Sequence, residues 1–129
     1  MTILYEWKPE YSTGVDAIDE DHKMIFSLIN QFKHSVENGE HEFASSELLD
    51  KLIDYVNFHF AREENKMSER GLASLTDHQY LHEDLKFQVI AFRSMEEQEK
   101  AAIIGEIGSF LEDWLINHII KVDVPTFRP

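Results

Sequence analysis

The sequence predicts an all-α fold: an up-down-up-down four-helix bundle entered by a non-helical N-terminal arm. Three observations point there. Apolar residues recur at three- and four-residue steps in four separate stretches, no stretch alternates with a period of two, and the connections are short. With 129 residues, 43% hydrophobic and 29% charged, the chain suits a single domain over 1–129 around one core.

The arm, residues 1–18, holds Pro9, Thr13 and Gly14 beside Tyr5, Trp7 and Tyr11. That aromatic content predicts a segment packed on the body. The first helix, about 19–37, carries the stripe Ile18, His22, Ile25, Ile29, Phe32 and Val36. Asp16, Asp19, Glu20 and Asp21 suit its N-terminus, where exposed N–H groups favour negative charge. Asn38-Gly39 then stops it, since both residues tolerate a left-handed cap.

The second helix, about 42–69, presents Leu49, Leu52, Ile53, Val56, His59, Phe60, Glu63 and Met67, and Gly71 is its stop. The third, about 75–94, is capped by Ser74 or Thr76 and presents Leu75, His78, Leu81, His82, Leu85, Val89 and Phe92. The fourth, about 97–121, presents Ile103, Ile104, Ile107, Leu111, Trp114, Leu115, His118 and Ile119, with Pro125 closing it. Gly105 and Gly108 each weaken this helix by up to about 1 kcal/mol relative to Ala, a cost that close approach of a neighbouring helix would explain.

Charge and composition narrow the function. Acidic residues number 25 against 12 basic ones, and a net charge of −13 repels phosphate backbones and anionic lipid surfaces. No nucleic-acid partner and no membrane insertion are expected. The absence of cysteine excludes disulfides, iron–sulfur clusters and thiol catalysis, and fits a reducing compartment. No signal-like or membrane-spanning stretch is visible, so the expectation is a soluble, cytoplasmic protein.

Histidine carries the functional signal. Five of seven, namely His22, His59, His78, His82 and His118, fall on apolar stripes, and so does Glu63. One buried imidazole is an ordinary hydrogen-bonded core residue. Five together would each need a partner, and an unpaired buried Glu63 would cost several kcal/mol. A metal satisfies the set at once. His59 and Glu63 are four apart, as are His78 and His82, so each pair shares one helix face. His118 and Asp123 are five apart, about 140° on an ideal α-helix, and can converge only where the backbone loosens or the helix ends. Seven candidate ligands exceed one ion and suit two ions sharing carboxylates. A histidine-rich set with some carboxylate favours iron over zinc, copper or manganese. His34 and His41, off the stripe and past the first helix, read as solvated surface residues, and Tyr80 reads as packing.

The order His22, His59-Phe60-Ala61-Arg62-Glu63, His78-Gln79-Tyr80-Leu81-His82, His118 and Asp123 resembles the hemerythrin family, its bacterial members in particular, over essentially the whole chain. The resemblance implies a non-heme di-iron centre that binds dioxygen reversibly. By it, His78, His82 and His118 would hold one iron in a closed shell, and His22 and His59 the other, leaving an open position. Glu63, Asp123 and a solvent-derived oxo or hydroxo group would bridge the two iron ions. Ile25, Phe60, Trp114, Leu115 and Ile119 resemble the family's pocket wall, and a dry wall hinders water and protons from reaching the bound ligand.

Three functions follow from this reading. The first is dioxygen carriage, storage or delivery by a stand-alone domain, with an oxygen-consuming enzyme as recipient. It is favoured because the chain stops soon after Asp123. The second is an oxygen- or redox-sensing domain working with a signalling partner. The third, a di-iron oxidase or peroxidase, is disfavoured: no Glu-x-x-His motif is present, and five His to two carboxylates stabilise high-valent iron poorly.

Overall fold

The computed structural model describes residues 6–128, and every regular element among them is helical. Four long helices, α1 (Asp16–Glu37), α2 (Leu49–Glu69), α3 (Leu75–Arg93) and α4 (Ile104–His118), form the bundle. Helix α1 packs on α2 and α4, and α2 packs on α3. One turn at His41–Phe43 and a π-helical turn at Ala44–Leu48 lead into α2. A short helix at Glu97–Ala102 precedes α4, which continues through a π-helical segment, Ile119–Asp123, into a last turn at Val124–Phe127.

Helix ends follow local chemistry, with corrections. Gly39 (φ 78°) and Gly71 (φ 63°) adopt the left-handed conformation after α1 and α2. Asn38 does not, at φ −86°. The first helix starts at Asp16, within the stretch assigned to the arm. The Asp19 carboxylate accepts the Thr13 N–H (2.8 Å) and the Thr13 and Ser12 hydroxyls (both 2.7 Å), which ties the arm onto the first turn. Burial opposes charge on Asp19, yet these bonds hold its carboxyl below the usual range. The arm itself contains a 3-10 turn at Pro9–Tyr11. Its Trp7 and Tyr11 each lie 5.8 Å from the Phe26 ring, and Tyr5 lies outside the described residues.

The fourth stretch is not continuous, because the backbone breaks at Ile103 (φ −113°, ψ 20°). Pro125 does not close it either. The π segment resets the hydrogen-bond ladder, so Pro125 falls in the first turn of a new helical piece, where a missing N–H costs little. Ser74 occupies the N-cap of α3, but its side chain makes no cap hydrogen bond.

The main core gathers side chains such as Phe26, Phe32, Leu49, Leu52, Leu85, Ile107 and Leu111 from all four helices. A second cluster of Ile18, Met67 and Phe127 closes the opposite end. Between the two lies a polar layer. Close helix approach explains only one of the two glycines in α4: a Cβ on Gly108 would sit 2.6 Å from Phe32 Cε1, whereas one on Gly105 meets nothing within 4 Å. Gly108→Ala should therefore lower stability by about 1–2 kcal/mol, overpacking outweighing the helix-propensity gain. Gly105→Ala should raise it by up to about 1 kcal/mol. Thermal or urea melts of the two variants against the parent check both signs.

Candidate metal centre

Seven polar side chains meet in the layer between the two apolar clusters, and all seven are those singled out by spacing. His22 comes from α1, His59 and Glu63 from α2, His78 and His82 from α3, and His118 ends α4. Asp123 joins them because residues 119–123 are π-helical, which swings the five-residue step back onto the face of His118. His22, Glu63, His82 and Asp123 are 0% exposed, His59 1%, His78 2% and His118 5%, so all seven are buried.

The two carboxylates divide their oxygens between two groups of rings. Glu63 Oε1 lies 2.7 Å from His78 Nε2, 3.1 Å from His82 Nε2 and 3.7 Å from His118 Nε2. Glu63 Oε2 lies 2.7 Å from His59 Nε2 and 3.5 Å from His22 Nε2. Asp123 repeats the division: Oδ1 is 3.0 Å from His78 and His118 Nε2, and Oδ2 is 3.0 Å from His22 Nε2. Donor atoms within 4.8 Å of one another accordingly form two sets sharing Glu63 and Asp123. One adds His78, His82 and His118; the other adds His22 and His59.

Hydrogen bonds satisfy only part of this cluster. His59 Nε2, Glu63 Oε2 and Asp123 Oδ1 are buried without an aligned hydrogen-bond partner, although other polar atoms lie close by. Five ring nitrogens converging on two shared carboxylates, some paired at hydrogen-bond distance and some left without an aligned partner, are an arrangement that shared metal ions satisfy as a whole. One set offers three nitrogens and two oxygens, the other two nitrogens and two oxygens. The second is therefore one donor poorer, which is where an external ligand could enter.

The surroundings hold the rings in place. Ile25, Phe60, Leu115 and Ile119 are buried beside the site. Phe60 stacks on His82 at 3.8 Å between ring centroids and 3° between planes. Trp114 stacks on His118 at 4.7 Å and 14°. Trp114 is only half-buried, however, and its outer side lines an open groove of about 470 Å³ with Leu81, Phe110 and Lys121. Spacing on single helices missed two outer contacts. Asp21 Oδ2 lies 3.0 Å from His59 Nδ1, and Glu64 Oε2 lies 2.7 Å from His82 Nδ1. Asp21 sits in the acidic run read as complementing the helix N-terminus, but it is buried and turned toward α2. His34 and His41 are exposed as expected; Tyr80, expected to pack, is 71% exposed.

Comparison with known proteins adds an independent line. The family profile described as "Hemerythrin HHE cation binding domain" matches residues 13–123. The chain is 33% identical over 123 residues to the bacteriohemerythrin of Methylococcus capsulatus, covering 95% of this chain and 93% of the relative. It is 29% identical over 119 residues to the myohemerythrin of Theromyzon tessulatum, covering 92% and 88%. A crystal structure of wild-type hemerythrin superposes with a TM-score of 0.70 at 31% identity, covering 98% of this chain and all of the other.

The protonation of the metal-free cluster has a sign that can be measured. Burial opposes charge on the rings, but contacts with Asp21 and Glu63 hold His59 up to about 10, and contacts with Asp123 and Glu63 hold His78 up to about 9. His22 and His118 are raised against burial by the same two carboxylates. Glu63 and Asp123 are held low, their own burial outweighed by the rings around them. Rings with raised values stabilise the fold fully below the ordinary 6.5 and lose that contribution as pH climbs toward 9–10. A bound metal needs neutral ring nitrogens, so its contribution grows over the same range. Melting temperatures between pH 6.5 and 10 should fall for the metal-free protein, while the gap to the metal-loaded protein widens. A flat metal-free profile would contradict the protonated cluster.

Proposed function

Since this chain belongs to the hemerythrin family, we propose that it binds dioxygen reversibly at a non-heme di-iron centre built from seven of its side chains. In this reading His78, His82 and His118 would hold one ion, His22 and His59 would hold the other, and Glu63 and Asp123 would be shared between them. The observation that carries it is the division of both carboxylates, each offering one oxygen to each histidine set. Iron supplies, when bound, electrons that can be lent to dioxygen and taken back.

The chain's own residues make that loan reversible. Five neutral imidazoles and two carboxylates leave the site less electron-rich than a carboxylate-dominated one, which disfavours oxidation of other substrates. Unequal donor numbers leave room for a diatomic molecule beside His22 and His59 and little beside the three-histidine set. Ile25, Phe60, Leu115 and Ile119 exclude water, and with it the protons that would leave the iron oxidised. No helix among the described residues is long and apolar enough to cross a membrane. A cytoplasmic place, supported by the absence of cysteine, and delivery to an oxygen-consuming enzyme or signalling partner belong to the same proposal.

Repeated optical spectra test it. Protein reduced without air should gain visible charge-transfer bands on exposure to dioxygen and lose them when the gas is removed, through several cycles. Bands that never form, or that need a reductant to clear, would end the reversible-binding reading. His118→Ala removes one donor and the partner of the Trp114 stack. It should leave fewer than two iron ions per chain and abolish the reversible bands. Unchanged iron content and unchanged bands would overturn the ligand assignment.

A further inference from the structure

Among the described residues, Asp21 is the one carboxylate outside the seven donors that is both buried and aimed at the site. Its side chain is 4% exposed, and three groups from α2 converge on it. Oδ2 lies 3.0 Å from His59 Nδ1 and 2.8 Å from Arg62 Nε, while Oδ1 accepts the Tyr55 hydroxyl at 3.0 Å. The Arg62 guanidinium in turn lies 4.9 Å from the centre of the Phe58 ring. The carboxylate is thus engaged by three side chains of α2, with Oδ2 turned to His59.

The two histidine sets are unequal in this respect. In the three-histidine set, His82 Nδ1 meets Glu64, a carboxylate 21% exposed, which also accepts from exposed Gln79. In the two-histidine set, His22 Nδ1 is buried without a hydrogen-bond partner, so His59 is the only one of the pair with an outward anchor. A ring that donates Nδ1–H to a fixed anion is locked in the tautomer that leaves Nε2 free, and its lone pair becomes a better donor.

We infer that Asp21 is a positioning residue for the two-histidine ion: it fixes the His59 ring through Nδ1, and its charge strengthens the hold of Nε2 on that ion alone. The inference rests on the two-ion reading above. Removing the charge should therefore weaken one site and spare the other. Losing such an outer partner typically costs about 10–100-fold in metal affinity.

Anaerobic titration of the metal-free 129-residue protein with ferrous iron, and with cobalt(II) as a spectroscopic probe, tests it. The parent should bind two ions, and His59→Ala identifies by its loss which of them is the two-histidine ion. Asp21→Asn, nearly isosteric and able to satisfy its neighbours, should weaken that ion about tenfold, and Asp21→Leu about a hundredfold. The other ion's affinity and cobalt spectrum should not change. Two dissociation constants within twofold of the parent's in Asp21→Asn, or equal weakening of both ions, would overturn the proposal. If Asp21→Leu loses its helical circular dichroism, Asp21→Asn decides by that same criterion. A parent that binds a single ion would remove the two-ion reading itself, and this inference with it. A parent with two ions and an unaffected Asp21→Asn removes the inference alone.

Discussion

A carboxylate with no exposure at all stands at the centre of this bundle, and the rest of the structure answers to it. An isolated buried charge of this kind costs several kcal/mol, or more often loses its ionisation. Glu63 keeps its charge because rings from all four helices surround it, each contributed by a different turn of the fold. That requirement sets the helix registers: α1, α2, α3 and the end of α4 must all be level at one height. It also divides the interior. Hydrophobic stabilisation is concentrated in the main core on one side of the polar layer, with Phe26, Phe32, Leu49 and Leu111 among its members.

The part of the site that was legible in sequence is the part encoded within single helices. His59 with Glu63, and His78 with His82, announce themselves because four residues return the chain to the same face. The five-residue step from His118 to Asp123 was legible as a misfit. Either a loosened turn or a helix end could have resolved it, and the π-helical segment is what the structure supplies. Contacts between helices left no comparable trace. Asp21 and His59 are 38 positions apart, and Glu64 and His82 are 18 apart, so nothing local distinguishes these acids from solvated neighbours. Asp19 illustrates the same limit: its charge suits a helix start, but its role is to hold Ser12 and Thr13 of the arm.

Stacking gives the ring positions a second determinant. Phe60 lies face to face with His82, and Trp114 with His118, so two rings of the three-histidine set are clamped by aromatic neighbours one helical turn or one helix away. The two-histidine set lacks such face-on stacking; His22 and His59 meet edge to face at 4.7 Å. Face-on stacking is therefore confined to His82 and His118, whereas His59 is anchored from outside by Asp21. The stacked rings belong to the set with more donors, and the other set is the one with room for an incoming molecule.

The π-helical segment also does something that ligand spacing alone does not reveal. On a regular α-helix, five residues turn about 140°, which would carry Asp123 away from the rings. Widening the turn by one residue brings Asp123 back, and everything after it rotates by the same amount. Phe127 lies four residues beyond Asp123 and so follows it onto the inward face, where it packs with Ile18 and Met67. Those two occupy the turns next to His22 and Glu63. The Phe127 carbonyl is tied down by Arg70 at the end of α2, and Arg128 reaches back to the Glu10 carbonyl of the arm. A single inserted residue thus places a bridging carboxylate and seals the floor beneath it. Pro125 is tolerated within that floor because the widened turn has already interrupted the ladder its missing N–H would have broken.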